Sequence, residues 1–284
     1  IKKSFEYVMP IASAQVKSSL MLASLSSGNS IKITESKVTR DHTERMISYL
    51  DGSIEISESS QGKTIFLKNS KLSEISTYEV VGDFSSAAFI IVAALISKNS
   101  EVLIKNVGLN NTRSGLLEVL LKMNASIEIV NKRKTCNEDC GDILVKSSKL
   151  EGINVPNSII PNIIDEIPIL SIAASFAEGQ TTIKNVSELK VKESDRLHAT
   201  STGLKAMNIE HDLLDDGLII NGSLDDIEIN EEIESFGDHR IAMSFLIAGL
   251  RSKNGVTVKD CSNIETSFPD FSRIMNYLGM NINE

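Results

Sequence analysis

One stretch of text recurs four times in this chain, which restricts it to folds built by stacking a single small unit. From Gly82 it runs GDFSSAAFIIVAALISKN, EVLIKNV, then GLNNTRSGLLEVLLKMNASIEI. From Ile164 it runs IDEIPILSIAASFAEG, TTIKNV, then SELKVKESDRLHATSTGLKAMNIE, and from Gly237 GDHRIAMSFLIAGLRSKNG, VTVKDC, then SNIETSFPDFSRIMNYLGMNI. An earlier copy reads ASAQVKSSLMLASLSSGN, SIKIT, ESKVTRDHTERMISYL. Each of the last three opens on an acid (Asp83, Asp165, Asp238), followed by an apolar helix-length run, a short strand, a polar loop and a second helix. The spacing from that acid to Lys105, Lys184 or Lys259 is roughly 20 residues, one helix plus one strand. The chain is therefore expected to be an α/β (α+β) protein of repeated βαβαββ units. The first helix of each, apolar nearly all round as in Ala87 to Ile96, is expected to be buried on most sides.

After the first copy, Ser53 to Glu79 alternates weakly, with Gly52 and Gln61-Gly62 as turns. A boundary near Glu79 divides residues 1–79, holding one copy, from residues 80–284, holding three. A single copy cannot enclose its own apolar helix, and each of Val16, Leu20, Leu22 and Leu25 left wet would cost roughly 1.5–3 kcal/mol. The first copy is thus expected to fray or to be covered by a neighbouring molecule, unless missing chain supplies its partners. The sequence opens on Ile1 in alternating text, as a piece of something longer would.

Chemistry-bearing residues gather where the second helices begin. TRDHTE, NTRSG and KESDR place Arg40, Arg113 and Arg196 at such starts, and TSFPD occupies Thr266 to Asp270 in the last copy. A guanidinium fork suits carboxylate and phosphate oxygens, and a helix start favours anions. In LKVKESDRLHATSTGLKAM the charges of Lys190, Lys192, Glu193, Asp195 and Arg196 give way to Leu197, Leu204 and Met207 at helical spacing. Ser194 or Asp195 is the expected cap. Asp165 and Glu166, between Pro161 and Pro168, read most simply as helix caps, and His239 and Arg240 head the helix of the last copy.

Net charge of -9 with no long basic run argues against a nucleic-acid partner. No apolar run reaches the roughly 20 residues of a membrane span and no signal peptide opens the text, so a cytoplasmic location is expected. Cys136 and Cys140 in CNEDC have the spacing of half a zinc site, but no His or second Cys pair completes it, and no metal is expected.

Seven strings carry a family resemblance: PIASAQVKS, TRDHTE, GDFSSAAF, IIDEIP, LKVKESDRL, FGDHRIAMSF and TSFPDF, in order from Met9 to about Phe271. They resemble the 5-enolpyruvylshikimate-3-phosphate synthases, the enolpyruvyl transferases of the shikimate pathway. The SAQVKS and DHRIAMS wording resembles the bacterial, glyphosate-tolerant subgroup. The resemblance implies an inside-out barrel of two domains, each of three units, with the ligands in the cleft between domains. About half of one domain is then missing, with its Lys-Ser and Arg contacts to the phosphorylated sugar and its Gly and Arg contacts to phosphoenolpyruvate.

The resemblance also implies roles. Ser13, Gln15, Arg40, Asp165 and Lys192 would contact shikimate 3-phosphate, with Asp165 accepting the proton of its 5-hydroxyl. Glu193 would protonate the methylene carbon of phosphoenolpyruvate. Gln15, Arg196 and Arg240 would hold that co-substrate, with His239 adjacent. Ala14, Glu188 and Thr266 depart from the family pattern, standing where some relatives have Ser, Asn and Lys. No metal or organic cofactor is called for. The intact protein is expected to be a monomeric enzyme and the isolated chain inactive. Transfer to UDP-N-acetylglucosamine, or anion binding without catalysis, are the competing expectations.

Overall fold

The computed structural model describes residues 4–59 and 62–283, so the expectations placed on Ile1 and Gln61 lie outside the described residues. The chain packs as two units. Unit 1 comprises Ile1–Val81, Gly108–Thr112 and Lys132–Cys140; unit 2 comprises Gly82–Val107, Arg113–Asn131 and Gly141–Glu284.

In unit 1, β1 (Ser4–Val8), α1 (Ala14–Ser27), β2 (Ser30–Glu35), α2 (His42–Tyr49), β3 (Ile54–Ser59) and β4 (Gly62–Leu67) form one sheet in the order β1-β2-β4-β3 with two helices. β1 runs parallel to β2, and the remaining pairs are antiparallel. Alternation in SIKITE sends Ile31 and Ile33 to one face, where they lie opposite Leu67 and Ile65 of β4. With Met9, Met21 and Ile47 these residues make the core. α1 begins where the Ser13 hydroxyl accepts from the Val16 amide at 3.3 Å, and it ends at Gly28, left-handed at φ +69°.

The apolar helix of this copy is only half enclosed. Val16 and Leu22 are 41% and 55% exposed, whereas Leu20 and Leu25 are partly buried against the core. Burial of an apolar face is what holds a helix of this length together. In hydrogen exchange on this chain, amides of α1 are therefore expected to exchange faster than those of the buried helices of unit 2. Equal protection in a monomer would show that α1 needs no further cover.

Segments 108–112 and 132–140, which the sequence boundary assigned to residues 80–284, belong to unit 1 for a polar reason. The Asn110 amide donates to Asp41 at 2.6 Å, Arg45 donates to Asp41 at 3.0 Å and to Asp139 at 2.9 Å, and His42 Nδ1 lies 2.7 Å from Glu138.

Unit 2 repeats the topology of unit 1. Its first copy is α3 (Phe84–Ile96), β5 (Glu101–Gly108), α4 (Gly115–Lys122), β6 (Ser126–Thr135) and β7 (Glu138–Lys146), with strand order β5-β7-β6; Gly108, the end of β6 and the start of β7 are the parts of these strands that belong to unit 1. Cys136 and Asn137, both at positive φ, form the two-residue turn from β6 to β7. The second copy is β8 (Leu150–Glu151), α5 (Ile167–Ser175), β9 (Ala177–Ile183), α6 (Arg196–Ala206), β10 (His211–Leu214) and β11 (Gly217–Gly222). Its sheet β8-β9-β11-β10 has a parallel pair β8–β9 followed by two antiparallel pairs, the pattern of β1-β2-β4-β3. The third copy keeps the parallel pair β12 (Ile233–Glu234) and β13 (Val258–Lys259), with α7 (His239–Ala248), α8 (Ile264–Ser267) and α9 (Phe271–Tyr277).

The first helices of the three copies, α3, α5 and α7, pack on one another and form the centre of the unit. All nine residues of α5 and all but one of α3 are buried, so neither has a polar face to offer water. Their polar members turn inward onto backbone, as when the Ser171 and Ser175 hydroxyls donate to carbonyls one turn back at 2.9 and 2.8 Å. α6 closes on α7 at Gly203, where a Cβ would stand 2.0 Å from Phe245 Cζ, so the approach tolerates only glycine. Among the described residues no helix is long and apolar enough to cross a membrane.

Candidate active site

The starts of α3, α5, α6 and α7 bring the charged residues of unit 2 together. Asp83 caps α3, accepting from the Ser86 amide at 2.8 Å; Asp195 caps α6, accepting from His198 at 3.0 Å; Asp238 caps α7, accepting from Arg240 at 2.9 Å. Of the two caps considered for α6, Asp195 takes the position, and the Ser194 hydroxyl instead donates to Asp238 at 3.2 Å. Glu166 stands at the N-cap of α5, but neither it nor Asp165 makes a side-chain capping hydrogen bond. Both sit in a 3-10 turn, Ile164–Glu166, and their carboxylates face cations.

Arg196 is at the centre. Its guanidinium donates from Nε to Asp238 at 2.7 Å, from Nη1 to Asp165 at 3.2 Å and from Nη2 to Glu193 at 2.5 Å. The Arg196 and Asp238 side chains are 1% and 0% exposed, whereas Glu193 is 57% exposed. The buried pair is thus a fixed post, and the Glu193 contact is the one open to water. Lys192 lies between Glu188 at 2.6 Å and Asp165 at 3.5 Å, so the departure from the family pattern at Glu188 supplies a partner for the ammonium.

Arg240 Nη1 donates to the Asp165 carbonyl at 3.1 Å and to Glu166 at 3.3 Å. His239 is half-buried at the start of α7; burial, then the charge of Arg240, lowers its imidazole below the usual value and favours the neutral ring. Arg113 donates to Asp83 at 2.9 Å and to the Ser85 hydroxyl at 2.6 Å. Thr266 is exposed and donates to the Asn263 carbonyl at 2.8 Å.

Burial pushes the Asp238 carboxyl up, but the hydrogen bond and charge of Arg196 together outweigh it and hold the group below its ordinary 3.8. A depressed carboxyl contributes stability at pH above its unfolded value, and that contribution is lost as pH falls through the folded value. Urea unfolding of the wild type is therefore expected to lose this contribution only below about pH 4. Asp238→Asn should be less stable by about 3–5 kcal/mol at neutral pH and should lack that acid step. A variant as stable as wild type at pH 7 would contradict the account.

The remaining candidates lie in unit 1. Ser13 caps α1, Gln15 is exposed in its first turn, and Arg40 precedes α2, which Ser18 and Thr43 tie to α1 through hydroxyls 2.7 Å apart. The two units therefore carry separate groups of candidate residues. Sequence reasoning overlooked Lys17, whose fully buried ammonium lies 2.7 Å from Glu44 and 3.2 Å from Glu35.

The structure of the enolpyruvyl transferase NikO from Streptomyces tendae matches 99% of this chain at TM-score 0.71 with 14% sequence identity, which places the chain in the enolpyruvyl transferase fold. The structure of the Acinetobacter baumannii EPSP synthase matches 99% of the chain at TM-score 0.92 with 40% identity. The family model for EPSP synthase (3-phosphoshikimate 1-carboxyvinyltransferase) matches residues 2–275, and the chain belongs to that family. Curated relatives of the same name include those of Legionella pneumophila strain Lens, 45% identical over 98% of this chain, and Petrotoga mobilis, 46% identical over 94%. This chain covers 63% and 61% of their lengths, and 64% of the Acinetobacter chain.

Proposed function

We propose that a protein of family length containing this chain transfers the enolpyruvyl group of phosphoenolpyruvate to the 5-hydroxyl of shikimate 3-phosphate and releases phosphate. The observation that supports it is the meeting of Asp165, Lys192, Glu193 and Arg196 with Arg240 nearby, acids and cations interleaved at one set of helix starts. In this reading the 5-hydroxyl oxygen attacks C2 of phosphoenolpyruvate as Asp165 takes its proton, while Glu193 delivers a proton to C3. The C2–O bond to phosphate then breaks, and C3 returns a proton to regenerate the double bond. Addition and elimination need an acid and a base in opposite senses, and two carboxylates of unequal burial fill those roles.

Arg196 and Arg240 neutralise the phosphate and carboxylate of phosphoenolpyruvate, with His239 beside them. Lys192, Ser13, Gln15 and Arg40 contact shikimate 3-phosphate, and Gln15 also meets the co-substrate. Residues 80–284, less the segments 108–112 and 132–140 that pack with unit 1, serve as a three-repeat domain, and residues 1–79 as one repeat of a second. A cytoplasmic, monomeric enzyme goes with this reading, as does an inactive isolated chain.

The test supplies both substrates and follows inorganic phosphate. Release is expected from the family-length protein and not from this chain alone. No release from the former, or equal release with UDP-N-acetylglucosamine as acceptor, would overturn the proposal.

A further inference from the structure

Glu166 is an acid with no task in the chemistry above. It stands at the N-cap of α5 without a side-chain capping hydrogen bond, and it is 2% exposed at the meeting of all three copies of unit 2. Burial drives its carboxyl above the usual value, against the opposing charge of Arg240 and the hydrogen bond from Ser85. A carboxylate in so unfavourable a place is retained at a cost, and its partners show what it holds.

On one side it accepts from the Ser85 hydroxyl, whose oxygen accepts in turn from Arg113 Nη2 at 2.6 Å. Arg113 is also paired to Asp83, the cap of α3, so this side is fastened to the start of a helix buried along nearly its whole length. On the other side Glu166 accepts from Arg240 Nη1 at 3.3 Å, alongside the Asp165 carbonyl at 3.1 Å. Both contacts use Nη1. Among the described residues neither Nε nor Nη2 of Arg240 has a hydrogen-bond partner, and that edge of the planar fork is the one that can grip an oxyanion bidentately.

We propose that Glu166, anchored through Ser85 and Arg113 to the start of α3, is the positioning residue that aims Arg240 at an anionic group of phosphoenolpyruvate. The assignment rests on the function proposed above. Charge alone makes the opposite prediction: a negative group beside Arg240 repels an anionic ligand, so deleting it would tighten binding. Glu166 therefore helps binding only by holding the guanidinium still, and the two effects separate by mutation.

Glu166→Ala, which removes charge and contact together, is expected to raise KM for phosphoenolpyruvate about tenfold while KM for shikimate 3-phosphate stays within about twofold. Glu166→Gln, which keeps an acceptor oxygen of the same reach without the charge, is expected to restore most of that loss. Ser85→Ala leaves the carboxylate but cuts its anchor, and should raise KM for phosphoenolpyruvate several-fold; it carries the test if Glu166→Ala does not fold. The measurements are made on the family-length protein. A wild type that releases no phosphate would overturn the functional reading. An active wild type whose Glu166→Ala or Ser85→Ala variant binds phosphoenolpyruvate as well as or better than wild type would overturn the positioning role alone. Equal losses toward both substrates would also overturn it, reducing Glu166 to a structural part.

Discussion

Glu193→Gln in the family-length protein is expected to slow phosphate release by about 10²–10⁴-fold, the usual share of general acid–base catalysis, with KM for either substrate changed only a few-fold. The glutamine keeps the length of the side chain and an oxygen for Arg196 Nη2, now 2.5 Å from the carboxylate, so the post formed by Arg196 and Asp238 stays in place. What it loses is the ability to hand over a proton. Because Glu193 is 57% exposed, the substitution leaves no buried group unpaired and should not change the unfolding midpoint. Separating rate from affinity in this way is the signature of a group acting in the transition state. An unchanged rate would remove Glu193 from the mechanism and leave Asp165 as the carboxylate to examine.

Lys17→Met is expected to lose about 3–5 kcal/mol of stability, confined to unit 1. Lys17, Glu35 and Glu44 are all buried, and among the described residues neither carboxylate oxygen of Glu44 makes a hydrogen bond, leaving the Lys17 ammonium at 2.7 Å as its compensation. Glu35 has further support from the Thr39 hydroxyl at 2.6 Å. Removing the ammonium strands two like charges in the interior; replacing all three residues with apolar or neutral ones of similar size should recover most of the loss. The protein has no Trp and four Tyr, of which Tyr7, Tyr49 and Tyr78 are in unit 1, so tyrosine fluorescence during urea unfolding reports mainly the affected part. A loss below about 1 kcal/mol would mean that the cluster is neutralised or wetted without Lys17.

The stacking of α3, α5 and α7 was legible in the text because runs such as AAFIIVAALI have no polar stripe, and a helix without one must be enclosed. The start of α6 was legible for a local reason, since Asp195 is placed to take a free amide. Local rules see only the position of Glu166 before a helix and make it a cap. Its partners Ser85 and Arg240 are 81 and 74 residues away in sequence, beyond the reach of any local rule.

The Lys17 cluster did leave a trace. Lys17 is on the face of α1 that buries Met21 and Ser24, Glu35 follows Ile31 and Ile33 at the inward period of β2, and Glu44 precedes Ile47 by three on α2. Three charges at buried phases, two of one sign and one of the other, are a detectable pattern when charge is scanned with the periods used for apolar residues. The placement of 108–112 and 132–140 in unit 1 left none, because it depends on pairs such as Arg45–Asp139.

That placement governs how the molecule can be taken apart. The backbone passes from one unit to the other at Val81–Gly82, Val107–Gly108, Thr112–Arg113, Asn131–Lys132 and Cys140–Gly141. Cutting the gene at the first junction would strip Asp41 and Arg45 of Asn110 and Asp139, and would leave two orphaned loops on the other product. Chimaeras that exchange unit 1 between relatives would therefore have to carry all three of its segments, and ribosomal synthesis cannot finish unit 1 before residue 140 has emerged.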